Sequence, residues 1–484
     1  MTRELKWVAL AALLCFGVVT IGAAYWAVVR ADSLRERSDN ARNVIAEQRI
    51  RRGAILDRDG EQLAYSEVTE TGLARRVYPY PQAAAPVGYY SVTYGTAGIE
   101  AAFDADLRGD DQASAWRDLV DDLLHRAPQG SDVRSTVDLD VQLAASEAFG
   151  SHSGAVVVAH VPSGRVLAMV SQPNYDPNQL DAAWETLARD VETSPLLNRA
   201  TAGQYQPGGA LQTVVLAAML AAQPDLSRQG GYVLNSEVPD VDTPVRVNGL
   251  ELTCLPGTPS RPLTLAEAYL FGCPAPFARA MESGLTPGHL WERLDALGLL
   301  TSPVLSGFTT AAGSPPPLLH DETPSEELVA ALTGQGDLTV TPLQMLQVIA
   351  AIANQGNAVP LHLVDAVRAP GSGEWESLEL PARRPALLRA DVASAVRLTM
   401  LQASAQSPYV SQARLGDLVI YGHSALAYGG PDATPYVWFA GFADVTESDQ
   451  PEAVAVVVVI ESEDDPALAA QVAGAALAAA VGVE

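Results

Sequence analysis

The stretch "GAVVVAHVPSGRVLAMVS" (residues 154–171) holds two apolar runs of strand length separated by Pro162, Ser163 and Gly164. The Pro-Ser-Gly step is turn chemistry, so the segment predicts an antiparallel hairpin belonging to a buried sheet. Just before it, "STVDLDVQLAASEAF" (135–149) carries Val141, Ala144, Ala145 and Ala148 at helical spacing. Far downstream, "YVWFAGFAD" (436–444) and "AVAVVVVIE" (453–461) read as two more apolar strands. A helix opened by Asp465 and Pro466, "DPALAAQVAGAALAAAVG", closes the chain. Strands early and late enclose a largely helical middle. That order predicts an α+β domain whose sheet is completed from both of its ends.

The chain has 484 residues, 48% hydrophobic and 18% charged, enough for two or three folded units with a sizeable core. Its formal net charge of -27 excludes a nucleic-acid partner, because phosphate binding needs clustered cations. Lysine is almost absent: Lys6 is the only one, and every other basic residue but histidine is arginine. A mechanism that needs a lysine amine beyond the first few residues is therefore excluded. Of the histidines, 125, 152, 160, 289, 320, 362 and 423, no two have a spacing such as His-x-x-x-His, so no metal site is predicted and no cofactor is implied. Cys254 and Cys273 allow one disulfide, while Cys15 lies in an apolar segment.

That segment, "WVALAALLCFGVVTIGAAYWAVV" (7–29), is long enough to span a bilayer and is followed by Arg30 and a charged stretch instead of a small-residue cleavage site. It reads as an uncleaved single-pass anchor, residues 1–30, with the large C-terminal part extracytoplasmic. Residues 31–50 read as an exposed helix leading away from the membrane. "RRGAILDRDGEQLAYS" (51–66) follows as strand, Asp-Gly turn and strand. The Arg75-Arg76 pair, in an acidic chain, is assigned to local ion pairs and not to a polyanion site.

Several stretches together resemble the class B penicillin-binding proteins, membrane-anchored D,D-transpeptidases of bacterial cell-wall synthesis. They are "RRGAILDRDGEQLA", "YYSVTYGTAGIEAAFDADLRG", "GAVVVAHVPSGRVLAMVSQPNYDPN", "NRATAGQYQPGG", "GQGDLTVTPLQMLQVIAAIANQG" and "WFAGFAD", in family order. The resemblance implies a penicillin-binding/β-lactamase-like transpeptidase domain over 131–484: an antiparallel sheet flanked by helices, with a helical subdomain. It also implies a small mixed α/β pedestal or dimerisation-like region over 31–130, preceded by the transmembrane helix. The family's chemistry rests on Ser-x-x-Lys, Ser-x-Asn and Lys-Thr-Gly. In "PGGALQ" (207–212) the serine and lysine positions fall on Gly209 and Gln212. The second motif falls on Gly272, Cys273 and Pro274, and the third on Tyr421, Gly422 and His423, followed by Ser424.

The residues thus predict a family fold without its reaction: a scaffold or regulator of peptidoglycan synthesis. The expected partners are the membrane, polytopic peptidoglycan polymerases or other cell-wall synthesis proteins, and uncrosslinked stem peptides held in the old cleft. An alternative is an enzyme with relocated groups, a transpeptidase or a hydrolase using Cys273 with His423 as base. Against it, Cys273 also reads as a small buried hydrophobe and His423 as a satisfied polar residue.

Overall fold

The computed structural model describes residues 3–25, 47–110, 129–222 and 234–482, apart from 306, 318, 321–322, 324, 381–384, 417, 431 and 446–451. The charged stretch 31–46, read from sequence as an exposed helix, lies outside the described residues, as does the end of the apolar segment at 26–29. Residues Arg3–Ala24 form a helix whose apolar side chains stand in the open, with Leu13 73% and Phe16 77% exposed. Among the described residues no helix is long and apolar enough to cross a membrane.

The core is a five-stranded antiparallel sheet. Its strands are β1 (Gly154–His160), β2 (Arg165–Gln172), β3 (Ile420–Gly429), β4 (Thr434–Val445) and β5 (Glu452–Glu461), in the order β3-β4-β5-β1-β2. The hairpin read from 154–171 is therefore one edge of this sheet, and the chain's last strands supply the other. β1 and β5 are buried along nearly their whole length, because helices cover both faces. On one face lie α1 (Leu139–Phe149) and the closing helix Pro466–Val481; on the other lies the helix Pro342–Ala353. This double cover explains why these strands are continuously apolar and not alternating. The closing helix starts as its sequence dictates, with the Asp465 carboxylate accepting from the Ala467 N–H and Pro466 in the first turn.

A second sheet, six-stranded, joins Ile55–Leu56, Gln62–Val68 and Ala74–Val77 to Asp132–Ser135 and to Val364–Arg368 and Glu376–Ser377. The N-terminal region is thus stitched to strands contributed from residue 364 onward. At its centre Glu100, fully buried, accepts from Arg52 Nε at 3.0 Å and Arg76 Nε at 2.6 Å, and from the Tyr78 hydroxyl at 3.2 Å. Arg52 also reaches Asp104 at 2.6 Å. Arg75 pairs with Glu67 at 2.8 Å, so both members of the Arg75-Arg76 pair are engaged locally, as read from sequence. Gly53 is required where it stands: a Cβ there would lie 1.8 Å from the Ser131 carbonyl oxygen.

Two arginines share one buried carboxylate, and removing it leaves Arg76 without its ion-pair partner and Arg52 with Asp104 alone. Glu100→Ala is expected to lower the unfolding free energy by about 3–5 kcal/mol, read as a fall in the denaturant midpoint of the full chain.

Candidate functional site

The stretch 205–215 leads into the site. Pro207 begins a tight turn, Gly208–Leu211 form a short 3-10 helix, and α2 (Gln212–Ala221) continues from it, its buried face apolar beyond Gln212 and Thr213. Gly208 adopts a φ of +50° and its N–H donates to the Gly334 carbonyl, where a side chain would collide with Ala427. Gly209 and Gln212 lie one helical turn apart beside a cleft of about 280 Å³.

Gln212 is 3% exposed and sends its side-chain Nε2 to the Cys273 carbonyl oxygen at 3.4 Å. Its Oε1 is buried with no partner among the described residues. Thr213, next on the helix, shares a hydrogen bond of 2.9 Å with the Tyr269 hydroxyl. Tyr269 belongs to α3 (Leu265–Leu270), started by a reciprocal cap between Thr264 and Glu267. Its ring stacks on the His423 imidazole with centroids 4.1 Å apart.

His423 is 1% exposed and bonds Gly209 O through Nε2 at 3.0 Å. A carbonyl only accepts, so Nε2 carries the proton and Nδ1 is a bare acceptor, buried without a partner among the described residues. Burial pushes the imidazole down to about 4, the Gly209 carbonyl opposing only in part. The ring is therefore neutral at pH 7.

Gly272 and Pro274 line the same cleft as Gly209 and Gln212, on the wall facing α2. Cys273 sits between them at the start of α4 (Pro274–Ala278), and its sulfur is bonded to Cys254. Sequence had left this pairing open. It removes the thiol that a hydrolase using Cys273 would need.

Of the residues expected at the site, Cys273, Tyr421, Gly422, His423 and Ser424 are not among those that line the cleft. The Tyr421 ring stacks on Phe442 at 4.5 Å, with the Arg397 guanidinium 4.9 Å from its centroid. A Cβ on Gly422 would run into Phe439. Neither residue lines the cleft. The strand positions facing the 3-10 helix are instead His423, Ala425 and Ala427, two residues beyond the register read from sequence. Ser424 is 1% exposed and its Oγ has no partner among the described residues. Ala425, Leu426 and Tyr428 on β3, Thr333 and Gln335 before it, and Asp464 after β5 also line the cleft, with the segment 252–256 and Phe277, and none of the first six was placed at the site from sequence. Gln335 lay within the quoted "GQG".

With this geometry in place, the comparisons with known proteins fall on both parts of the chain. Residues 52–133 match the penicillin binding protein A dimerisation domain, and residues 154–225 and 306–481 the penicillin binding protein transpeptidase domain. The chain belongs to the class B penicillin-binding proteins, the peptidoglycan D,D-transpeptidase family. It is 34% identical over 503 residues to the peptidoglycan D,D-transpeptidase PbpA of Mycolicibacterium smegmatis, covering 100% of this chain and 98% of that one. It is 30% identical to the PbpA of Mycobacterium tuberculosis over 504 residues, with the same coverage. The crystal structure of PBPA from M. tuberculosis matches with a TM-score of 0.77 at 28% identity, covering 89% of this chain and 99% of that chain. The M. tuberculosis protein has also been solved as its imipenem acyl-enzyme complex, which matches with a TM-score of 0.77 at 29% identity over 90% of this chain and 99% of that chain. The transpeptidase match skips 226–305, the part that carries the Cys254–Cys273 bridge and its cleft wall.

Two predictions follow from the packing around Gly209. A Cβ there would stand 3.2 Å from the Ala425 Cβ, closer than relaxed contact. Gly209→Ser is expected to cost about 1 kcal/mol. Combining it with Ala425→Gly is expected to recover roughly 0.5–1 kcal/mol in a double-mutant cycle read by urea unfolding. His423 supplies the second. Its folded value lies below its unfolded one, so the unfolded chain binds the extra proton between pH about 6.5 and about 4. Stability contributed by the neutral ring is complete above that window, falls as pH falls through it, and levels off below. The wild-type chain is expected to lose on the order of 3 kcal/mol more than His423→Gln between pH 7.5 and 4, measured by urea midpoints at both pH values.

Proposed function

We propose that this member of the family is a catalytically inactive pseudo-transpeptidase that works by contact, as a scaffold or regulator of peptidoglycan synthesis. The observation that carries the reading is the pair at the start of α2: a hydrogen at Gly209 and a neutral, buried amide at Gln212, one turn apart beside the cleft. Acyl transfer needs an oxygen nucleophile and a base at such a spacing. The nearest imidazole, His423, is neutral, buried and bonded to Gly209 O. Without nucleophile and base, binding and backbone electrostatics leave at most about 10³–10⁴-fold over the uncatalysed rate.

The site positions carried over from the family are Gly209, Gln212, Gly272, Cys273 and Pro274, and on β3 the run from His423 in place of Tyr421 and Gly422. The apolar segment 7–29 is proposed as the anchor. The exposed Leu13, Phe16, Val18 and Ile21 side chains support it, since a helix apolar all round is unfavourable in water. The ectodomain then stands outside the cytoplasmic membrane. A polytopic peptidoglycan polymerase, or another cell-wall synthesis protein, is the proposed partner, touched through the anchor and the region 45–130.

Incubation of the full-length protein in detergent with a fluorescent penicillin is expected to leave no covalent label. An active class B relative labelled in parallel provides the reference. A label that survives denaturing electrophoresis and vanishes in Ser424→Ala would replace this reading with an enzyme using relocated groups.

A further inference from the structure

The strand Ala74–Val77 is the last of the six-stranded sheet, paired with Gln62–Val68 on one side and with no strand among the described residues on the other. Its outward backbone groups are engaged at both ends. Ala74 N–H donates to Gln48 O at 2.7 Å. At the far end the Asn178 side-chain amide accepts from Tyr78 N–H at 2.9 Å and donates to Tyr78 O at 2.8 Å, as a peptide unit of a neighbouring strand would. Alternation along a strand then turns Arg76 outward as well. Its N–H and C=O have no partner among the described residues.

Arg76 borders a groove of about 700 Å³. Its side chain is only 4% exposed, held by Glu100 and by the Gly53 carbonyl, yet the residue as a whole is half-buried. What Arg76 leaves open is therefore main chain. An open strand edge of this kind is a template for a further strand.

The engaged ends restrict what fits. In antiparallel register one residue exchanges both hydrogen bonds with Arg76, whereas a parallel strand needs two residues for the same groups. Directly opposite side chains share a face, so the residue after the paired one stands against Arg75. The Arg75 guanidinium is 69% exposed and bonds Glu67 through one nitrogen, which leaves N–H groups for a second carboxylate. Asp181, which also lines the groove and accepts from Ser91 Oγ at 2.6 Å, disfavours any further negative charge.

We propose that this edge takes an extended segment of a partner protein in antiparallel register, one residue exchanging both backbone bonds with Arg76 and the next setting an acidic side chain against Arg75. The proposal deepens the partner role given above to the region 45–130 and rests on that reading only for the partner's source. Two main-chain hydrogen bonds and one exposed ion pair make a weak contact, so an isolated peptide is expected to bind in the high-micromolar to millimolar range.

The test uses the full-length protein in detergent and the acetylated, amidated pentapeptide Val-Thr-Asp-Thr-Val, with amide hydrogen exchange read at single residues and affinity by peptide-observed NMR. Saturating peptide is expected to slow exchange of the Arg76 N–H about tenfold or more, and to change the already bonded Ala74 and Tyr78 amides far less. N-methylation of the threonine before the aspartate, whose N–H faces the edge, is expected to weaken binding about tenfold or more. N-methylation of the aspartate, whose N–H faces away, is expected to leave affinity within about threefold. Replacing the peptide's aspartate by asparagine is expected to cost a few-fold against the wild-type protein and nothing against Arg75→Gln. An Arg76 amide that peptide does not protect, or equal losses on N-methylation of threonine and aspartate, overturns the proposal. Arg76 protection that rises with protein concentration without peptide assigns the edge to a second copy and overturns the partner reading. Penicillin labelling does not involve this groove, so failure here is distinguishable from failure of the inactive reading.

Discussion

The site depends on how the start of α2 meets the edge strand β3. One hydrogen bond, His423 Nε2–H to the Gly209 carbonyl at 3.0 Å, ties the helix start to the sheet. Beside it the two backbones approach so closely that a Cβ at 208 would overlap Ala427 and one at 209 would press on Ala425. Small residues on both sides are the condition for this contact. The imidazole that makes it is sandwiched by Tyr269, whose hydroxyl is itself shared with Thr213 on α2, so sheet, α2 and α3 are held as one block.

That block gives the cleft its fixed walls. His423 is occupied twice, by stacking and by hydrogen bonding, and burial keeps it neutral. Cys273 is occupied by Cys254, and Gln212 by the Cys273 carbonyl. These contacts hold the walls together. Three of the buried atoms without a partner among the described residues, Gln212 Oε1, His423 Nδ1 and Ser424 Oγ, lie around the same block.

Sheet strands, the hairpin turn and the closing helix were legible because each carries a local cause: apolar runs of strand length, turn residues, and the Asp465-Pro466 start. Gly209 and Gln212 were legible for the same reason, since "QPGG" before an apolar helical run fixes the register to one residue. The strand register was not. In "VIYGHSALA" nearly every residue is small or apolar, so nothing local says which side chains face the helix, and a reading displaced by two residues leaves the alternation intact. Tyr421 then falls on Phe442 and Arg397, away from the cleft.

By itself the sequence determined that no lysine follows Lys6, that glycine and glutamine stand at the helix start, and that the two ends of the C-terminal domain carry the sheet. Those facts are set by residue identity and by contacts a few positions apart. Tertiary structure alone decided that His423 reaches Gly209 across 214 positions, that Cys254 bonds Cys273, and that Asp464 lines the same cleft as Gln212. Such pairings come from packing distant segments into one core, where distance along the chain ceases to predict distance in space.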